Sequence, residues 1–190
     1  DKRQPLTHIK KISTRSLNDY MIVDSTTVRN LELLEPINPR NNDTALISIL
    51  DETKTPMGSR LMHKWIIQPL LDINKIKERQ KVIHFFYHEE SRTFRLRKEL
   101  KSIGDLERLI ARINSRRCNG RDLVRLRDIL TRLPLLREEI PGKTDSEYLE
   151  SINQGLMIDE ECLKLLNRAL CPEPPLTIKE GGMIQKGYHE

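Results

Sequence analysis

The sequence predicts a mainly α fold: a multi-helix core domain with a short N-terminal strand and a C-terminal β-hairpin. Three observations carry this. Apolar residues recur at helical spacing through the middle of the chain, most clearly at Leu106, Leu109, Ile110 and Ile113. Capping and breaking residues such as Thr55-Pro56, Pro69 and Asp72 punctuate those segments. Strand-like patterning is confined to the two ends, "YMIV" at 20–23 and "LTIKEGGMIQKGY" at 176–188.

Taken in order, "YMIV" reads as the short strand. "DSTTVRNLELLEP" then leads to Pro36 and the polar loop "INPRNND". Asp43 is the predicted N-cap of a helix through Leu46, Ile49 and Leu50, ending near Thr53. Thr55 caps the next helix, with Pro56 in its first turn, where a missing N–H costs nothing. Met57, Leu61 and Trp65 repeat every four residues and are predicted to share one face. Gly58 predicts a close backbone approach, and Pro69 stops the helix. Asp72 caps "INKIKERQKVIHFF", with Ile73, Ile76, Ile83 and Phe86 as apolar positions. Residues 89–102 are charged, with Phe94, Leu96 and Leu100 apolar.

"GDLERLIARINSRR" then carries the amphipathic stripe named above. "GRDLVRLRDILTRLP" carries a similar one at Leu123, Leu126, Leu130 and Leu133, which Pro134 is predicted to end. Residues 141–155 read as a polar linker with one short helix at "SEYLESI", and 159–170 as a further short helix. Beyond "CPEPP", the alternation about Gly181-Gly182 predicts the hairpin.

Composition limits what such a fold can do. Apolar residues reach only 37%, aromatics 4%, while charged residues reach 32%, above the usual level of about 25%. This fits an elongated domain, or one that lends apolar surface to neighbours. The net charge of +5 permits a nucleic-acid partner without requiring one. Cys118, Cys162 and Cys171 form no C-x-x-C pair, which argues for free thiols in a reducing compartment. No apolar run approaches the roughly 18 residues of a membrane span. The chain begins with Asp1, so "DKRQPLTHIKK" looks like a cut made inside a longer protein.

The sequence contains no G-x-x-x-x-G-K-[ST], no G-x-G-x-x-G and no G-x-S-x-G. No catalytic, cofactor-binding or metal-binding residue is therefore expected, and no enzymatic activity. His84 and His88 stand four apart on a predicted helix, without H-E-x-x-H or a spaced third ligand. One basic constellation stands out. Arg108, Arg112 and Arg116 step by four opposite the apolar stripe, and Arg117 and Arg121 follow. Two readings stay open: nucleic-acid binding along a phosphate backbone, or a solvated face paired with Asp105, Glu107 and Asp122. The interleaved aromatics of single-strand binders are absent from this stripe.

Four segments together resemble the core domain of MutS-type DNA mismatch-repair proteins. They are "VDSTTVRNLEL" (23–33), "LISILDETKTPMGSRLMHKWIIQPLLD" (46–72), "IGDLERLIARI" (103–113) with "RDLVRLRDILTRLP" (121–134), and "PPLTIKEGGMIQKGY" (174–188). They follow the family's order across nearly the whole chain. The resemblance implies a division into residues 1–20, leading in from a connector, 21–140 as the main helical core, 141–155 as linker, and 156–190 as short helix and hairpin before an outgoing lever helix. It implies a dimeric parent, homo- or heterodimeric, that encircles mismatched double-stranded DNA and works with downstream repair factors. ATP and magnesium would belong to an ATPase domain outside this chain. The implied location is cytoplasmic or nucleoid-associated, nuclear in a eukaryote. Two alternatives remain: a stand-alone nucleic-acid-binding module, or the core of a relative acting in recombination.

Overall fold

Residues 19–38, 40 and 44–188 are described by the structure, a computed structural model, and helices account for most of them. In chain order they are α1 (Ser25–Asn30), α2 (Leu46–Leu50), α3 (Pro56–Ile67), α4 (Ile73–His88), α5 (Glu90–Leu100), α6 (Leu106–Asn114), α7 (Gly120–Glu139), α8 (Glu147–Gly155) and α9 (Glu160–Ala169).

Two predicted caps form as hydrogen bonds: the Thr55 side chain accepts from the Gly58 amide, and Asp72 from those of Asn74 and Lys75. Asp159, not predicted as a cap, accepts likewise from the amides of Glu161 and Cys162. Asp43 lies outside the described residues. The observed N-cap of α2 is Ala45, whose methyl group cannot cap. The amides of Leu46 and Ile47 instead donate to the carbonyls of Glu32 and Leu33, so the loop after α1 takes the cap's place. Gly58 is crowded not by another helix but by the Thr53 and Thr55 side chains, which a Cβ there would meet at 3.2 and 3.1 Å.

The central cluster is Ile103, Leu109, Ile129 and Leu136, with Met57, Leu96, Leu100, Leu106, Leu126 and Leu133 packed around it. It sits where α5 and α6 lie against α7. Pro134 does not end α7, which runs on to Glu139. Proline removes one N–H and so one intrahelical bond, but Leu133 and Leu136 on either side belong to the core. Their burial outweighs the lost bond, and the real core stripe is Leu126, Ile129, Leu133 and Leu136. Elsewhere the predicted apolar faces are only partly used. Leu61, Ile73, Ile83 and Ile110 are exposed, and so is Phe94.

Residues 141–155 do more than link. Ser146 caps α8 by accepting from the Leu149 amide at 3.3 Å, and donates to Glu78 on α4 at 2.9 Å. The Asn153 side-chain amide donates to the carbonyls of Arg137 and Ile140 at the end of α7, the first of which also accepts the Ile140 amide. Leu149, between them, is 1% exposed. A polar composition conceals this anchor because its polar side chains point inward at backbone groups.

Neither predicted β element forms among the described residues, which hold two single antiparallel bridges and no strand. Tyr20 in the predicted strand faces Leu70, with Met21 donating to the Pro69 carbonyl and Leu71 to that of Asp19. One bridge is too short to extend into a ladder, because α1 begins at Ser25. The predicted hairpin at 176–188 does not pair with itself. Residues 178–180 form a turn of 3-10 helix, and Gly181 and Gly182 both take φ near +70°. This redirects the chain so that Ile184 pairs back with Leu170 instead. Residues 1–18 lie outside the described part.

Candidate nucleic-acid interface

The arginine constellation is split by the end of α6. Asp105 caps this helix, accepting from the Arg108 amide at 3.2 Å. At the other end Arg116 takes a left-handed φ of 57°. Its amide donates to the Ile113 carbonyl and that of Arg117 to the Arg112 carbonyl, which is the Schellman closure. Arg116 therefore does not continue the helical stripe of Arg108 and Arg112. It stands beyond a turn, in a conformation that glycine usually takes.

The charges are also unequally free. Arg112 meets Asp122 at 2.6 Å, and that carboxylate is buried because it also closes the capping box of α7 with Asn119. Arg108 lies 3.4 Å from Asp105. The Arg121 Nε donates to the Pro174 carbonyl at 3.3 Å, tying α7 to the C-terminal segment. Arg116 and Arg117 are exposed, and their side chains make no hydrogen bond or ion pair among the described residues. The pairing expected for a solvated face thus holds for Arg108 and Arg112, not for Arg116 and Arg117.

Between α6 and α7 runs a groove of about 1020 Å³ that brings Arg108 and Arg112 together with Arg125 and Arg132, and with Asp105, Asp122 and Asp128. Arg125 has no partner among the described residues, while Arg132 bonds Glu99 at 3.2 Å. Sequence reasoning missed Arg125. The available signal was its place four residues after Arg121 on the same helix, α7. The groove's alternating signs suit it poorly to a bare polyanion.

Arg60 of α3 locks onto the start of α6. Its guanidinium meets both Asp105 oxygens at 2.8 Å and Glu107 at 2.6 Å. The Arg60 hydrogen bonds hold the Asp105 carboxyl down to about 2, from its usual 3.8, and the pair raises Arg60 in turn. A depressed carboxyl contributes stability fully above its unfolded pKa and loses it as pH falls through the folded one. Asp105→Asn is thus expected to destabilise the chain at pH 7, with the gap from the parent chain narrowing between pH 4 and 2. Urea unfolding across that window checks this, and a constant gap would refute it.

The His84 and His88 rings lie 4.4 Å apart, centroid to centroid. Among the described residues, no group of three or more His, Cys, Asp or Glu side chains could hold a metal ion. The three cysteines are half-buried and unpaired. No helix of the described residues is long and apolar enough to cross a membrane.

Comparison with known proteins settles the family. Residues 26–187 match the family model described as MutS domain III. The chain belongs to the MutS domain III family. This MutS domain III is 36% identical over 188 residues to a DNA mismatch repair protein MutS from Methanococcoides burtonii, covering 97% of the chain. It is 37% identical over 189 residues to that of Oceanobacillus iheyensis, covering 100% of the chain, and 36% identical over 196 residues to that of Bacillus subtilis, again covering 100%. The chain spans about a fifth of the length of these relatives, 21% of the first and 22% of the others.

Proposed function

We propose that this chain is a structural core segment of a DNA mismatch-recognition ATPase, coupling nucleotide state elsewhere in a longer polypeptide to its hold on mismatched DNA. Its relatives are named as DNA mismatch repair proteins and are about five times its length. The observation that carries the reading is an open apolar groove of about 910 Å³ walled by Tyr20, Ile22, Val28, Pro36, Ile37 and Ile67. Ile22 is 84% exposed there, an orientation that suits contact with another part of a longer polypeptide. None of the groove's walls comes from α5, α6 or α7, which pack around the central cluster, or from α8, which is tied to α4 and α7. A packed helical unit with an apolar docking groove suits the transmission of movement rather than chemistry.

The chain alone is expected to hydrolyse no ATP above background, and turnover that tracks with the purified chain would sink the reading. In the longer polypeptide, Ile22→Asp with Ile37→Asp should leave basal hydrolysis intact while uncoupling it from DNA release. Unchanged coupling would count against transmission through this groove. In this reading ATP, magnesium and the dimer contacts lie with the rest of the parent.

A second reading, direct nucleic-acid contact through the arginine constellation, is favoured by the unpaired Arg116 and Arg117 alone. Arg116→Glu with Arg117→Glu would then abolish salt-dependent DNA binding by the chain.

A further inference from the structure

Phe94 is the observation that the domain's architecture leaves unexplained. Helix α5 packs Leu96 and Leu100 on the core, yet Phe94 is 71% exposed. A large apolar ring held in water on a well-packed helix has lost the burial that would ordinarily favour it. Its neighbours on that helix are not apolar. Phe94, Arg97, Lys98 and Lys101 stand at i, i+3, i+4 and i+7, so they form one stripe along α5 and the turn that follows it. With Thr53 and Lys54 from the loop before α3, they line a shallow hollow of about 500 Å³.

The charges of the hollow are unbalanced. Arg97 and Lys54 share a single carboxylate, Glu52, each at 3.2 Å. Lys98 and Lys101 make no ion pair or hydrogen bond through their side chains among the described residues. Four cations thus face one anion around an exposed aromatic ring. This differs from the α6–α7 groove, where aspartates interrupt the arginines and no aromatic is present.

An aromatic face beside unpaired cations is the pairing that single-stranded nucleic acid uses. The ring stacks on an unpaired base, and the cations take the flanking phosphates. Duplex DNA would present phosphates but no free base face to Phe94. We propose that the Lys54–Phe94–Lys98–Lys101 hollow binds single-stranded DNA, with Phe94 stacking on a base and Lys98 and Lys101 on the adjacent phosphates. This goes beyond the structural role proposed above and does not depend on it.

The test is fluorescence polarisation with a dye-labelled oligo-dT of 15 nucleotides, using the chain itself in 50 mM and 200 mM salt. Phe94→Ala is expected to weaken binding by roughly 5- to 150-fold, the range of one lost base stack. Lys98→Gln with Lys101→Gln is expected to lower the slope of log affinity against log salt by roughly 1.4, about 0.7 for each phosphate contact on a single strand. Phe94 is exposed, so its replacement should leave the unfolding midpoint unchanged and the loss can be read as binding. Any of four results overturns the proposal: no binding at 50 mM salt; equal affinity for a matched duplex; binding of an acidic peptide in place of the oligonucleotide; or binding lost through Arg116→Glu with Arg117→Glu while Phe94→Ala changes nothing.

Discussion

Replacing Leu149 by alanine is expected to cost the domain about 3–5 kcal/mol, toward the upper end for truncation of a buried leucine. The side chain is 1% exposed, and its helix is fixed on both sides. Ser146 ties the start of α8 to Glu78 of α4, and Asn153 ties its far end to the last carbonyls of α7. Those bonds stop α8 from settling into the space that the lost methyl groups leave. The cavity term is therefore retained on top of the transfer term. Against the usual 5–15 kcal/mol of a whole domain this is a large fraction. Urea unfolding should show a lower midpoint at unchanged slope. Leu165→Ala is the comparison, because Leu165 is 49% exposed on α9. Equal losses at the two positions would mean that α8 is not an anchored element.

This anchor shows where sequence patterning stops being informative. Helices α3 and α4 are legible from the caps Thr55 and Asp72, and α6 from its apolar stripe, because cap and stripe are both local signals. The α8 anchor is opaque because Ser146 and Asn153 look solvent-seeking until their partners 68 and 16 residues or fewer away are known. Pro134 misleads for a related reason. A local breaker was overridden by the burial of Leu133 and Leu136, which only tertiary packing supplies. The β elements fail because a period-two pattern reports a half-buried extended segment and not its partner. Residues 183–185 are such a segment, but they pair with 169–171.

The candidate site was legible in kind and not in detail. Arginines every four residues do lie along α6, but spacing cannot reveal that Asp122 claims Arg112 or that the helix turns off before Arg116. Nor can it tell a core phenylalanine from Phe94, whose exposure decides its role. The apolar groove at Ile22 and Ile37 escaped for the opposite reason. Its residues sit in short, weakly periodic segments, and only the loop between α1 and α2 gathers them.

Gly120→Ala is expected to loosen the C-terminal segment from the rest of the domain. Gly120 is the first residue of α7 and is buried. A Cβ there would lie 2.7 Å from the Met183 Cγ and 2.7 Å from the Pro174 Cβ, closer than carbon atoms pack. Its backbone has no left-handed φ, so alanine meets no conformational penalty and even gains about 0.4–1 kcal/mol through the unfolded chain. The steric cost of overpacking, about 1–3 kcal/mol, runs the other way and should prevail, because one of the two blocking atoms is a rigid proline carbon. The released segment is held otherwise by the Cys171-to-Met183 and Gln185-to-Ala169 backbone bonds and by Arg121 on the Pro174 carbonyl. Hydrogen exchange should therefore quicken at the amides of Cys171 and Gln185 while those of α7 stay protected. Met183→Ala removes one of the two obstacles, so the double variant should recover part of the loss, with a coupling of about 0.5–3 kcal/mol between contacting residues. Additive losses, or unchanged exchange at Gln185, would show that the close approach at Gly120 does not hold the segment in place.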